Sequence, residues 1–420
     1  MTARLSSPAG AGGVEGADPH VGTGAGPTAP ERADPAPATG AATAPATGAA
    51  TPGSGPGTAA TPGIRTTGAA TTPATPAATP GTEDARVPAP DGSGLDVAPA
   101  AWGHRHLLDV DRLTWPEIDL VLRTTEAMKE VLARPIAKVP ALRGTNVTIL
   151  FYEASTRTRV SFEVAAKNLS ADVVNIAAAS SSVSKGESLV DTVRTIEALG
   201  ARMLVMRHGT SGAPYLAAEV FSGAVLNGGD GWHAHPTQAL LDLYTIRERL
   251  PGASLRGRKV AIVGDILHSR VARSNIWTLT AAGADLWLAG PATLLRGFEA
   301  WAAASPRIPG HGRFHVTSDI DAALAGADAV MALRIQRERM AGGLLPSLRE
   351  YAARYGITRE RLAAAKPDVL VMHPGPMNEG VEIAPDVAVD PRAVITDQVT
   401  NGVAVRMALL YLLAGTLERG

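Results

Sequence analysis

Regular hydrophobic spacing begins only after about residue 101, and from there it alternates between two periods. Ile118, Val121, Leu122, Met128 and Leu132 follow helical spacing behind Thr114, Trp115, Pro116 and Glu117. That start is a capping box with proline in the first turn, where its missing N–H costs nothing. Residues 147–151 (VTILF) form a short apolar run that predicts a buried strand, and a helix pattern follows from Thr158. Leu189, Val193, Ile196 and Leu199 mark another helix, closed by Gly200. Residues 203–206, 259–264, 285–289, 329–333 and 369–372 read as further strands. Further helices are predicted over 236–249, 274–282 and 401–415.

Alternating strands and helices predict an α/β fold of two domains, each with a parallel sheet flanked by helices. The expected division is 101–240, joined by a C-terminal helix at 398–420, and 241–397. A folded part of this length exceeds the roughly 250–300 residues at which one core stops growing, so two domains are also the expectation from size.

The first hundred residues follow neither period. Seventy-five of them are Ala, Gly, Pro or Thr, and none is Phe, Trp, Tyr or Lys. Such a segment has too little apolar surface to offset the entropy of ordering it, so residues 1–100 are expected to be a disordered low-complexity tail, dispensable for chemistry. The start of the chain lacks the apolar core of a secretory signal, and a cytoplasmic location is expected. With 39 basic and 40 acidic residues, bulk charge argues against nucleic acid as a partner. No run of apolar residues suggests a membrane span. The absence of cysteine excludes disulfides, thiolate metal sites and a cysteine nucleophile.

The strongest chemical signal is the run Phe151-Tyr152-Glu153-Ala154-Ser155-Thr156-Arg157-Thr158-Arg159. A buried strand runs into hydroxyls and guanidiniums at a helix start, where backbone N–H groups lack partners. This combination suits a phosphate or another anion, although it lacks the glycine-rich pattern of a nucleotide loop. The segment SSSVSKGES at 180–188 carries Lys185 in a chain that otherwise favours arginine; alone it reads as a solvated loop. Arg207 follows a strand directly, in the position where open α/β sheets bind ligands. His233, His235 and Gln238 lie on a glycine-rich turn leading into a helix, and without a third ligand at metal spacing no metal is expected. Arg270 and Arg334 follow two strands of the second half and suit carboxylates. His373-Pro374-Gly375-Pro376 fixes a tight turn that can present backbone carbonyls.

Together these blocks, FYEASTRTRVSFE, SKGES, MRH, HPTQALLDL and HPGP, in that order, resemble the aspartate/ornithine carbamoyltransferase family over about 102–420. LRIQRER at 333–339, HPTQ and the missing cysteine resemble its aspartate branch. The resemblance implies one domain for carbamoyl phosphate and one for L-aspartate, with carbamoyl transfer in de novo pyrimidine biosynthesis and no cofactor. Transfer to another acceptor such as ornithine, and a non-catalytic role in assembly, are the alternatives. It further implies a homotrimer with shared sites, in some relatives joined by a regulatory chain or a dihydroorotase.

By matching position, Ser155, Thr156, Arg157 and Thr158 would hold the phosphate. Arg207, His235 and Thr158 would donate to the carbamoyl oxygen. Gln238 and the carbonyls near Gly375 and Pro376 would hold its amino group. Ser181 and Lys185 would come from the neighbouring chain, Lys185 touching both ligands, and Arg270, Arg334 and Gln336 would grip the aspartate carboxylates. The pattern departs from related chains at Glu379, where arginine is common.

Overall fold

A computed structural model describes residues 102–177, 187–252, 254–336, 339–340 and 343–418. The expected tail at 1–100, Ser181 and Lys185 lie outside these residues.

The first half carries α1 (Trp115–Leu132), β1 (Asn146–Phe151), α2 (Thr156–Asn168), β2 (Asp172–Ala177), α3 (Leu189–Ala198), β3 (Met203–His208), α4 (Ala213–Val220), β4 (Ala224–Asp230) and α5 (Pro236–Arg249). The second carries β5 (Lys259–Val263), α6 (Arg270–Ala281), β6 (Asp285–Ala289), α7 (Phe298–Ala304), β7 (Arg313–Thr317), α8 (Ile320–Leu324) and β8 (Ala329–Ala332). It continues with α9 (Leu348–Tyr355), α10 (Arg359–Leu362), β9 (Leu370–Met372), α11 (Pro385–Ala388) and α12 (Ile395–Leu417).

Two parallel sheets result, ordered β2-β1-β3-β4 and β7-β6-β5-β8-β9. Strand order reverses beside β1 and β3 in the first sheet and beside β5 and β8 in the second. At such a point neighbouring crossovers leave to opposite faces and open a crevice at the C-terminal strand ends. Parallel registry places Phe151 beside Arg207, so the residues that follow β1 and β3 share one crevice.

Three strands were not predicted. β2 is an edge strand with Asp172 and Asn175 among its apolar residues. β7 (RFHVT) also lies at an edge and is largely half-exposed. β4 includes Asn227, Gly228, Gly229 and Asp230, read from sequence as turn; all are buried, and the pairing with β3 shifts register between Met206 and His208.

Helix starts also move toward the crevice. α2 begins at Thr156, two residues before the expected Thr158, and α6 begins at Arg270 rather than 274. At the second start, Ser269 Oγ accepts Ala272 N–H at 3.1 Å as an N-cap, placing Arg270 at the first helical position. At α1 the expected cap is present: Glu117 Oε2 accepts Thr114 N–H at 2.8 Å. α5 runs unbroken across 240–241, the expected division between domains.

α12 is longer than predicted and has an 18-residue window of mean hydropathy 1.3, enough by length and composition to cross a membrane. Its apolarity serves the core instead. It packs against α1, α2 and α5, and buries Ala404, Val405, Met407, Ala408, Leu409, Leu410 and Leu413 together with Gln398, Asn401 and Arg406. Phe162 of α2 is fully buried beneath it, with the Arg406 guanidinium 5.0 Å above its ring. Phe162→Ala should cost about 3–5 kcal/mol, the usual loss for an aromatic removed from a packed core. Urea denaturation measures it, and a loss below about 1 kcal/mol would contradict this packing role.

Candidate active site

The two crevices face one cleft of about 830 Å³. Ser155, Thr156, Arg157, Thr158, Arg207, His235, Gln238, Arg270, Arg334, Gln336, Gly375 and Pro376 all line it. These candidates therefore meet in one place, whereas His233 is not among the lining residues. Glu379 is exposed and is not among the lining residues.

The phosphate-type turn is built by the end of β1 and the start of α2. The first intrahelical bond there runs from Arg159 N–H to Ser155 O at 3.1 Å. The N–H groups of Thr156, Arg157 and Thr158 thus precede the helical ladder, at the positive end of the helix dipole. The Arg157 guanidinium passes across Gly375, where a Cβ would sit 2.4 Å from Arg157 Cζ. Gly375 also has φ +68° and precedes a cis peptide to Pro376. Both facts call for glycine at that position. Burial and the neighbouring Arg334 hold the Arg157 pKa below its usual value, and two crowded guanidiniums favour an anion between them.

One carboxylate organises the remaining arginines. Glu153 Oε1 accepts Arg207 Nη2 at 2.9 Å, Arg270 Nη2 at 2.8 Å and Arg339 Nη2 at 2.9 Å. Its Oε2 accepts Arg270 Nη1 at 3.0 Å. Glu153 follows β1 and Arg207 lies at the C-terminal end of β3, whereas Arg270 and Arg339 follow β5 and β8, so the carboxylate ties the two sheets together. Burial opposes its charge, but Arg270, Arg207 and Arg339 outweigh that and bring its pKa to about 2. Arg207 is pushed down to about 9 by burial, then by Arg270. The β4 glycines make room for this cluster: a Cβ on Gly229 would lie 3.0 Å from Arg270 Nε and 3.1 Å from Arg207 Nη1. The carbonyl of Gly228 accepts Arg207 Nη1 at 3.1 Å.

His235 precedes α5, with its backbone N–H donated to Ser274 Oγ at 3.0 Å. Burial, then Arg207, Arg270 and Arg406, lower its pKa well below the usual imidazole range, so the ring is neutral. Nδ1 is buried without a partner among the described residues. A bare lone pair is the cheaper group to leave there than an unpaired N–H, which puts the ring's one proton on Nε2. His233 does not join it at a metal site; its Nδ1 lies 3.1 Å from Asp230 Oδ2. Gln336 is held by its backbone N–H on Asp265 Oδ2 at 3.4 Å.

Sequence reading passed over Glu153, Arg339 and Arg406. Glu153 and Arg339 stand inside motifs quoted above, and Glu153 is the one acid in a basic turn. Arg406 carried no signal, because it sits in an apolar helix. Among the described residues, the lining holds six arginines (157, 207, 270, 334, 339 and 406) and one carboxylate, Glu153. A cleft lined by several like charges concentrates a positive field, which favours acidic ligands.

Known proteins share this architecture. The family description "Aspartate/ornithine carbamoyltransferase, carbamoyl-P binding domain" matches residues 105–248, and "Asp/Orn binding domain" of the same family matches 256–413. The aspartate carbamoyltransferase catalytic subunit of Roseiflexus sp. (strain RS-1) is 57% identical over 329 residues, 78% of this chain and 99% of that protein. The catalytic subunit of Chloroflexus aggregans is 59% identical over 311 residues, 74% and 98% of the two chains. Aspartate transcarbamoylase from Trypanosoma cruzi, solved with carbamoyl aspartate and phosphate, superposes with a TM-score of 0.65 at 30% identity, covering 76% of this chain and 99% of that one. Ornithine carbamoyltransferase from Pyrococcus furiosus superposes equally well, with a TM-score of 0.66 at 27% identity over 75% of this chain and 99% of that one. Fold therefore does not separate the two acceptor types, whereas identity leans to aspartate. The chain belongs to the aspartate/ornithine carbamoyltransferase family.

Proposed function

We propose that this chain transfers the carbamoyl group of carbamoyl phosphate to the amine of L-aspartate, giving N-carbamoyl-L-aspartate and phosphate in pyrimidine biosynthesis. The observation that carries the proposal is the charge of the cleft: among the described lining residues, six arginines stand against one carboxylate, which three of them already share. Carbamoyl phosphate and aspartate together bring a phosphate and two carboxylates. Ornithine brings a second ammonium, which this cleft repels.

Ser155, Thr156, Arg157 and Thr158 hold the phosphate at the α2 start. Arg207, His235 Nε2–H and Thr158 donate to the carbamoyl oxygen, and Gln238 with the carbonyls near Gly375 and Pro376 accepts its N–H groups. Arginine carries five N–H donors, so bonds to Glu153 leave Arg207 and Arg270 further hydrogens for ligands. Arg270, Arg334 and Gln336 bind the aspartate carboxylates. Ser181 and Lys185 reach the ligands from a neighbouring copy in a homotrimer.

The aspartate amine attacks the carbamoyl carbon, charge builds on the carbonyl oxygen, and the bond to phosphate oxygen breaks with its electron pair on phosphate. Donors fixed in advance around that oxygen stabilise the charge as it forms. Holding both ligands in one cleft supplies the orientation. Among the described lining residues, Glu153 is engaged by three arginines and His235 has a depressed pKa, so neither suits the proton lost by the amine. The departing phosphate is the base at hand.

Three outcomes are expected. Phosphate release from carbamoyl phosphate should require aspartate, and turnover with ornithine alone would overturn the assignment. Arg157→Ala should lower kcat/KM by a factor of a few hundred, about 3–4 kcal/mol, with the fold intact by circular dichroism. Near-wild-type activity would refute the phosphate role. Nitrogen-15 NMR of His235 at pH 7 should show a neutral ring protonated at Nε2; a neutral ring protonated at Nδ1 would contradict the carbonyl-donor role.

A further inference from the structure

Behind Gln238, one turn further along α5, lies Asp242, fully buried and given no role above. Its Oδ1 accepts Gln238 Nε2 at 2.9 Å and Gln398 Nε2 at 2.7 Å, and its Oδ2 accepts Asn275 Nδ2 at 2.9 Å. An ionised carboxylate only accepts hydrogen bonds, so all three amides must show it their nitrogens. Burial raises the Asp242 pKa to about 6, and the three amide donors and Arg406 act against that rise.

Two of the three amides are also fixed at a second contact. Gln398 Oε1 accepts His373 N–H at 3.0 Å, and Asn275 Nδ2 also donates to Val271 O at 3.0 Å. Gln238 differs. It lines the cleft, and no hydrogen bond within the described protein engages its Oε1.

We infer that Asp242 is a positioning residue that sets the polarity of Gln238: by taking the amide nitrogen, it turns the carbonyl oxygen into the cleft as an acceptor. The inference rests on the carbamoyl phosphate reading above and adds a source of selectivity to it. A carbamoyl group carries N–H donors, whereas an acetyl group of nearly the same shape carries a methyl. An acceptor fixed at that spot favours the first and gains nothing from the second. A carboxamide free to turn over would offer N–H to N–H half of the time. Asp242 also links α5, α6 and α12, so a purely structural role is the competing account, and the two predict different losses.

The test uses the full chain, with KM for carbamoyl phosphate and inhibition constants for acetyl phosphate and inorganic phosphate. Asp242→Asn replaces one carboxylate oxygen with an N–H₂ group that faces amide nitrogens, and Gln238 is the amide that no second hydrogen bond within the described protein holds in place. Carbamoyl phosphate should weaken roughly tenfold, the weight of one hydrogen bond in a desolvated site, while the other two ligands stay within about twofold. Exchanging the groups, Gln238→Glu with Asp242→Asn, restores an oxygen acceptor at the cleft and should recover preference for carbamoyl over acetyl phosphate. The exchanged pair keeps one carboxylate in the cluster and carries the test alone if the single variant does not fold.

Unchanged preference in Asp242→Asn, a parallel loss for all three ligands, or no preference in the exchanged pair each overturns the inference. A wild-type chain that does not prefer carbamoyl to acetyl phosphate overturns the proposed function along with it.

Discussion

The carboxylate of Glu153 lies among three guanidiniums drawn from both sheets, and the cleft depends on that arrangement. Arg207, Arg270 and Arg339 are brought close by strand ends that converge at two crevices, and like charges at such distances repel. Glu153 offsets part of that repulsion and fixes where each planar donor fork points. It does so incompletely, and the remaining positive charge is what an acidic ligand meets. The same ion cluster spans the two sheets, so the spacing between the carbamoyl side and the acceptor side is set by the residue that tunes the charge.

The neutral histidine follows from that excess. His235 is buried beside Arg207, Arg270 and Arg406, and a second positive charge there is unfavourable. A group that elsewhere titrates near neutral pH becomes a fixed N–H donor. α12 supports the arrangement from beneath: Arg406 Nη1 donates to Ser161 Oγ at 2.9 Å and to Gly402 O at 2.9 Å, so a helix whose buried face is mostly apolar also reaches the cleft. Gln398, from the same helix, joins the 373–376 turn to Asp242.

Much of this was legible from sequence because it is local. A strand running into Ser155, Thr156, Arg157 and Thr158 carries its own chemistry, and buried central strands such as β1, β3 and β5 read as apolar runs. Edge strands β2 and β7 were missed because their solvent-facing positions dilute the apolar signal. β4 was missed because its glycines, which read as a turn, are needed where the arginines pass close to the backbone. Glu153 could not be ranked from sequence, since its partners lie 54 to 186 positions away; Asp242 is four positions from Gln238, but its other two partners lie 33 and 156 positions away. The helix starts at Thr156 and Arg270 lie closer to the crevices than spacing suggested, because polar and charged first turns carry no hydrophobic period.

The central claim is that one carboxylate joins the two sides of the cleft, and Glu153→Gln tests it most directly. The substitution keeps shape and removes charge. With carbamoyl phosphate saturating, kcat/KM for aspartate should fall roughly a hundredfold, the scale of about 3 kcal/mol for breaking a partly buried ion pair. Inhibition by inorganic phosphate should persist, because the 155–158 turn makes no hydrogen bond to Glu153. Aspartate kinetics close to wild type would show that the two sides are held together by something other than this carboxylate.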